Sequence, residues 1–239
     1  LYRSSRKHKQ KVKDEAEIRS LRKEDIGTVT DMITESSAQI SKVFRKTSAL
    51  YSNLIDNLSL QDLAKLKENK KDQKKLEKEI DELKSNVFYF IKNLDDNSVE
   101  ASKFYILILG YLQDMVQSID FITANSYSHV ANNHKQLKFN QIRDLKTVDT
   151  QLQELFGRLE ESFNTEDFSK LDEILRDKKV FLDTVSELIT KQITRIRTTE
   201  TSPKNSKLYF SLLLETNDLI KSIMNLLELF KEFNQQNKK

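Results

Sequence analysis

Apolar residues recur along this chain at steps of three and four positions, in six long segments separated by short polar breaks. This spacing places the apolar side chains on one face of an α-helix, because 3.6 residues make one helical turn. The pattern predicts six helices, over about residues 23–57, 60–95, 98–134, 140–163, 165–201 and 203–236. The longest would extend for on the order of 50 Å at 1.5 Å per residue.

Polar residues that favour helix ends occupy the breaks between these segments. Ser59 is the predicted N-cap of the second helix, and Asn97 or Ser98 that of the third. Thr165 is the predicted start of the fifth helix. Pro203 suits the first position of the sixth, because its ring fixes a helical φ angle and the residue before a proline avoids the helical region.

The second half of the chain repeats the plan of the first. A shift of 104 positions places the segment 102–105 (SKFY) on 206–209 (SKLY) and Asp114 on Asp218. A shift of 105 positions aligns the second helix with the fifth. Any two amphipathic helices match at some apolar positions by chance. Matched polar residues at a single shift are harder to explain by chance, so we predict a duplicated unit.

Each unit would consist of three antiparallel helices joined by short connections and packed through their apolar faces. The predicted fold is therefore all-α, with two tandem three-helix bundles. We divide the chain into a basic segment (1–23), a first three-helix unit (24–137) and a second three-helix unit (138–239).

The composition agrees with an all-α fold and argues against catalysis. The 239 residues include 3 Gly and 1 Pro, too few for the tight turns of a sheet protein or of a catalytic site built from loops. The absence of cysteine excludes disulfides, Cys-zinc sites and thiol nucleophiles. Neither a glycine-rich phosphate loop nor a Gly-x-Ser-x-Gly elbow occurs, so we predict that the protein is not an enzyme.

Positive charge is concentrated at the amino-terminal end. Residues 1–23 contain nine Lys or Arg against three acidic residues, although the net charge of the whole chain is only +3. Because the chain opens with Leu1 rather than methionine, we interpret it as a fragment and residues 1–23 as a juxtamembrane segment attracted to anionic lipid. Binding of these residues to nucleic acid is the alternative that we do not favour. The Lys-rich stretch 65–78 is interpreted as a solvated helix face with opposite-charge pairs.

Asp114 and Asp218 occupy equivalent positions of the third and sixth helices, each within an apolar sequence. A carboxylate on a buried helix face is costly unless it is paired, hydrogen-bonded or bound to a metal. The two residues are therefore either a pair of anionic ligands or, as we favour, groups at the solvent edge or in ion pairs across the bundle.

A second polar group gathers towards the end of the third helix, where Asp120, His129, Asn133 and His134 occur. Histidine is a common metal ligand and titrates near neutral pH. The two histidines are five positions apart, however, whereas chelation from one helix is best served by a spacing of four. The pattern favours a helix terminus that contributes polar groups to a turn or to a partner surface.

Two tandem three-helix units of about 105 residues, with related third and sixth helices, resemble the PhoU fold. The stretch 111–120 (YLQDMVQSID) resembles the third-helix motif of that family, in which a carboxylate is followed four residues later by Asp. Its extension through 125–129 (NSYSH) and 132–135 (NNHK) is similar to the PhoU-like cytoplasmic tails of bacterial sodium/phosphate cotransporters.

The resemblance implies carboxylate metal ligands at four positions, of which this chain retains one. Those positions hold Val116 and Asp120 in the third helix and Ile220 and Met224 in the sixth. A multinuclear metal cluster is therefore not predicted and we expect no cofactor. Asp120 is the single ligand that the resemblance leaves for a divalent or ferric ion.

The function implied by the resemblance is that of a non-enzymatic regulatory domain of a sodium/phosphate symporter, at the cytoplasmic face of the inner membrane. It would act by docking or conformational coupling. Its partners would be the transmembrane transport domain of the same polypeptide and, through residues 1–23, the membrane surface; nucleic acid is not expected, and a homodimer is left open. The alternative is a free-standing PhoU-like phosphate-signalling regulator that binds a metal or a partner protein.

Overall fold

The computed structural model describes residues 29–92 and 99–236, and within these ranges it is all-α, without strands. This confirms the predicted fold class. The basic segment 1–23 and the predicted caps Asn97 and Ser98 lie outside the described residues. The helices are α1 (Val29–Ser59), α2 (Leu63–Lys92), α3 (Val99–Ala131), α4 (Phe139–Thr165), α5 (Leu171–Arg176), α6 (Lys178–Thr198) and α7 (Pro203–Gln236).

The predicted N-cap of the second helix is wrong. Ser59 ends α1, and its hydroxyl donates a hydrogen bond to the Asp56 carbonyl oxygen at 2.7 Å. Asp62 caps α2 instead, because its carboxylate accepts a hydrogen bond from the Lys65 N–H at 3.1 Å. Gln61 between them has a left-handed backbone with φ of 50° and lies in the three-residue connection 60–62 between the two helices.

The predicted fifth helix begins later than expected and consists of two pieces. Glu166 follows α4 in the left-handed conformation, and the Asp167 carboxylate accepts a hydrogen bond from the Ser169 N–H at 3.1 Å. This local turn competes with helix formation after Thr165. Asp177 separates α5 from α6. The last predicted helix is confirmed, since α7 begins at Pro203 and ends at Gln236.

Four long helices form the centre of the molecule. Helix α1 packs mainly against α4, and α3 packs against α7 and almost as extensively against α2. Helix α2 lies over α3 and α1, and α6 lies over α7. The predicted boundary at residues 137/138 falls in the connection between α3 and α4.

The two central helix pairs are antiparallel. On α1 and α4, Ser41 is bonded to Asn164, whereas Ser52, later in α1, is bonded to the earlier residue Asp149. On α3 and α7, the Phe104 ring contacts Phe230 near the end of α7, whereas contacts later in α3 are made with the beginning of α7. Each central pair therefore consists of one helix from the first half and one from the second.

Positions that the repeat makes equivalent meet in the first of these pairs. Ser48 and Gln153 are 105 positions apart and are bonded to each other, with the Gln153 side-chain amide donating to the Ser48 carbonyl oxygen at 3.0 Å. Contact between equivalent positions occurs where two similar units pack about a twofold axis. The pairing therefore supports the predicted duplication.

A hydrogen bond inside each half supports the same conclusion. The Tyr105 hydroxyl donates to the Gln39 side-chain carbonyl at 2.7 Å, and the Tyr209 hydroxyl donates to the Asp144 carboxylate at 3.2 Å. The two tyrosines are equivalent by the shift of 104, and their acceptors are separated by 105 positions. A tyrosine on the third helix of each half thus binds a polar side chain on the first.

Asp149 on α4 is buried against α1, with 9% of its surface exposed. It accepts hydrogen bonds at 3.0 Å from the Ser52 hydroxyl and from the Gln153 amide. Burial raises the pKa of the Asp149 carboxyl, although these two hydrogen bonds oppose the rise. The neighbouring charge of Asp56 adds to it.

Replacing Asp149 with asparagine should raise the melting temperature near neutral pH. The folded-state pKa of Asp149 lies above the ordinary value of 3.8, so the folded protein binds more protons than the unfolded chain between these two values. The stability therefore falls as the pH rises from 3.8 through the folded-state pKa. Asparagine removes this loss and can hydrogen-bond to both partners. Thermal unfolding followed by circular dichroism from about pH 3 to about pH 8 measures the effect. The exposed Asp81→Asn is the control, and equal pH profiles for Asp149→Asn and the wild type would contradict the prediction.

Candidate docking groove

A surface groove of about 340 Å³ lies between α3 and α7, and it is called the α3–α7 groove below. Asp114 and Ser118 of α3 line it together with Asp218 and Ser222 of α7. These are two of the residue pairs that the shift of 104 makes equivalent. The structure therefore brings Asp114 and Asp218 to one site. The other lining residues are Gln117, Phe121, Glu215, Lys221 and Asn225.

Carboxylates dominate the charge of the α3–α7 groove, since Asp114, Glu215 and Asp218 face a single Lys221. Asp114 and Asp218 are exposed, which is the solvent-edge placement favoured from the sequence. Glu215 is half-buried, and burial followed by the charge of Asp218 raises the pKa of its carboxyl. The groove therefore presents a negative surface at neutral pH.

An exposed aromatic ring lies in the groove beside these carboxylates, and a second exposed apolar residue precedes Glu215 on α7. Phe121 of α3 lines the groove with 44% of its surface exposed, and Leu214 on α7 is 53% exposed. Single exposed apolar side chains are ordinary on a protein surface, but the Phe121 ring lies in a groove beside carboxylates, where a partner can contact both. The α3–α7 groove is suited to a partner that carries both basic and apolar side chains.

Asp120 lies outside this groove. Its carboxylate is 3.7 Å from the Lys74 ammonium of α2. In the ranges 29–92 and 99–236, no group of three or more His, Asp or Glu side chains is placed to hold a metal ion. Metal binding by Asp120 stays a prediction of the resemblance, and the structure shows a lysine beside it.

His129, Asn133 and His134 form the end of α3. Asn133 is left-handed with φ of 54°, its N–H donates to Val130 at 3.0 Å, and the His134 N–H donates to the His129 carbonyl oxygen at 3.1 Å. These two bonds are the Schellman arrangement, which satisfies carbonyl groups left unpaired at a helix end. The polar group thus ends the helix, as the spacing of the histidines favoured, and α3 ends three residues earlier than predicted.

The two histidine rings are held in place by their surroundings. The His129 ring is buried, and its Nε2 lies 2.8 Å from the Lys135 carbonyl oxygen. The rings of His129 and His134 meet edge to face, with centroids 5.0 Å apart. Partial burial and the charges of Lys204 and His129 lower the pKa of His134. Both side chains therefore contribute to the turn between α3 and α4.

Sequence reasoning missed a buried polar network in the second half. Asp144 on α4 accepts hydrogen bonds from Arg195 on α6 at 2.8 Å and from Tyr209 on α7 at 3.2 Å. Gln192 accepts from the same arginine at 3.2 Å. The signal was present in the sequence, because Asp144 directly precedes Leu145 on the apolar face of its helix. This network joins three helices of one half.

No model of a known protein family matches this chain, and no curated protein is similar to it. None of the helices in the described part of the chain combines the length and the apolar character needed to cross a bilayer.

Proposed function

We propose that this chain is a non-enzymatic regulatory domain of a sodium/phosphate symporter at the cytoplasmic face of the membrane. It docks on the transport domain of the same polypeptide through the α3–α7 groove. Docking couples phosphate status to transport without covalent chemistry. The resemblance of residues 111–120 to the PhoU third-helix motif points to this class of protein.

The observation that carries the proposal is that equivalent segments of α3 and α7 meet to form one acidic groove. The third helix is the part of the chain whose residues resemble the PhoU motif, and it contributes Asp114 to this groove. A site made by both halves changes shape when the halves shift relative to each other. Such a site can pass a signal between the bundle and its partner.

Charge complementarity supports a transport domain as the partner. Cytoplasmic loops of membrane proteins carry an excess of Lys and Arg near the ends of their membrane-spanning segments. The groove offers the carboxylates of Asp114, Glu215 and Asp218 to such a loop, with Phe121 for an apolar side chain. Complementary charge of this kind steers encounter and selects the partner. Residues 1–23 would hold the domain near the anionic membrane surface.

The experiment is a measurement of sodium-dependent phosphate uptake by cells that express the native polypeptide containing these residues. The variant Asp114→Asn/Glu215→Gln/Asp218→Asn removes the charge of the groove. We expect uptake to lose its adjustment to external phosphate, because Asp114 and Asp218 are exposed, the half-buried Glu215 is replaced by a side chain of the same shape, and the changes therefore affect docking rather than folding. The control Glu154→Gln/Glu161→Gln/Glu187→Gln removes the same charge at exposed positions elsewhere.

Two outcomes would count against the proposal. Equal loss of regulation in both triple variants would mean that total charge matters and the groove does not. Recovery of the native polypeptide outside the membrane fraction would exclude the tether to a transport domain. The latter outcome would favour the free-standing PhoU-like regulator.

A further inference from the structure

Six lysines of α2 line a second groove, which borders α3. The groove has a volume of about 480 Å³, and Tyr127 of α3 completes its lining. It is called the lysine groove below and shares no lining residue with the α3–α7 groove. The six lysines are Lys67, Lys70, Lys71, Lys74, Lys75 and Lys78.

The spacing of these lysines makes one continuous stripe of positive charge. They follow one another at steps of three, one, three, one and three positions. On a helix this spacing covers an arc of about 140° over a length of about 17 Å. Lys70 is half-buried and its ammonium lies 4.3 Å from the centre of the Tyr127 ring, whereas the other five are exposed. Tyr127 thus holds one ammonium at the edge of the groove.

Nearby carboxylates compensate only part of this charge. Lys74 lies 3.0 Å from Glu77 and 3.7 Å from Asp120, and Lys75 lies 3.8 Å from Asp72. Within 29–92 and 99–236, the other four lysines of the stripe have no carboxylate oxygen within 4.0 Å. The interpretation of residues 65–78 as a face of opposite-charge pairs is therefore correct only in part.

Uncompensated lysines three and four positions apart repel one another and destabilise the helix that carries them. An anion that spans several of them would relieve this repulsion and release the counterions that otherwise collect there. A single phosphate is too small to reach along a stripe of about 17 Å. The groove therefore fits an elongated anion with many charges better than a compact one.

We propose that the lysine groove binds a soluble linear polyphosphate. Lysine ammonium groups on long stems act as mobile point charges, which suits a chain of phosphates without a fixed shape. Single-stranded nucleic acid needs aromatic faces on which its bases stack. Tyr127 is the one aromatic residue lining the groove, and Lys70 covers its face. This proposal does not depend on docking to a transport domain.

The test is binding of a linear polyphosphate of roughly ten to twenty phosphates to the full 239-residue chain, measured by calorimetry over a range of salt concentrations. The variant Lys70→Gln/Lys71→Gln/Lys78→Gln removes three lysines that have no carboxylate oxygen within 4.0 Å among the described residues. We expect at least about tenfold weaker binding near 50 mM salt, and a log–log salt dependence that is less steep by about two. The control Lys146→Gln/Lys191→Gln/Lys207→Gln removes the same charge at exposed positions and should change binding by less than about threefold.

Competition experiments distinguish the ligand from other sources of phosphate. Orthophosphate at the same total phosphorus concentration should not displace the polyphosphate. Equal loss of binding in both triple variants, or no binding to the wild type, would overturn the proposal. Single-stranded DNA that competes as well as polyphosphate itself would also overturn it. The same holds if phosphatidylglycerol vesicles bind as strongly as polyphosphate and lose as much binding in the lysine-groove variant. Unchanged melting temperatures of both variants would show that folding is not the cause.

Discussion

Replacing Phe230 with alanine is expected to lower the free energy of unfolding by about 3–5 kcal/mol. Phe230 on α7 is fully buried, and its ring centre lies 4.7 Å from that of Phe168, 4.8 Å from Phe163 and 5.7 Å from Phe104. These three rings come from α3, from α4 and from the turn after α4. Because they are anchored in different parts of the chain, they cannot all move to fill the cavity that alanine would leave. Urea unfolding followed by circular dichroism measures the loss.

The matched control for this substitution is Phe139→Ala. Phe139 begins α4 with 79% of its surface exposed, so its truncation should cost less than about 1 kcal/mol. Phe230→Leu should fall between the two, since leucine retains most of the apolar volume. A Phe230→Ala variant as stable as Phe139→Ala would mean that the ring cluster does not join the two halves as the structure shows.

The apolar period was sufficient to predict where the long helices lie, but local hydrogen bonding decided where they end. Ser59 and Asp62 are both good N-cap residues and are three positions apart. The choice between them depended on Gln61, whose left-handed backbone ends α1 before α2 can start. Glutamine has no special preference for that conformation, so no residue type in this turn marked it.

The shift of 104 equated Asp114 with Asp218 without showing that they share a groove. Equivalence in a repeat is compatible with units that pack through any of their three helices. The pairing of α3 with α7 depends on the apolar residues of both helices together, including Phe104 and Phe230. The apolar pattern of a single helix does not show which other helix it packs against. The acidic residues of the candidate site could therefore be identified from the sequence, but the location of the site could not.

The ion pairing of α2 was also only partly predictable from the sequence. The stretch 65–78 is Lys-rich with interleaved acidic residues, which indicated local ion pairs. Ion pairing on a helix, however, depends on which side chains share a face and on what the neighbouring helix presents. Lys74 finds Asp120 across the contact with α3, whereas Lys70 finds the ring of Tyr127. The uncompensated stripe became visible only when both helices were in place.

Replacing Arg195 with methionine is expected to destabilise the protein by about 3 kcal/mol, at the lower end of the range for breaking a buried ion pair. The Asp144 side chain is 9% exposed and that of Arg195 20%, and their atoms are 2.8 Å apart. Methionine would leave the Asp144 carboxylate with the hydroxyl of Tyr209 at 3.2 Å and without a positive partner. The same urea unfolding experiment measures the change, and Arg197→Met, at an exposed position of the same helix, should cost less than about 0.5 kcal/mol.

The double variant Asp144→Asn/Arg195→Met identifies the cause of that loss. Asparagine is uncharged and can still accept the hydrogen bond of the Tyr209 hydroxyl, so most of the lost stability should return. Recovery would mean that an unpaired buried charge, rather than a cavity, destabilises the single variant. No recovery in the double variant would locate the loss in the packing of the arginine stem between α4 and α6, because asparagine removes the charge and leaves that packing defect unchanged.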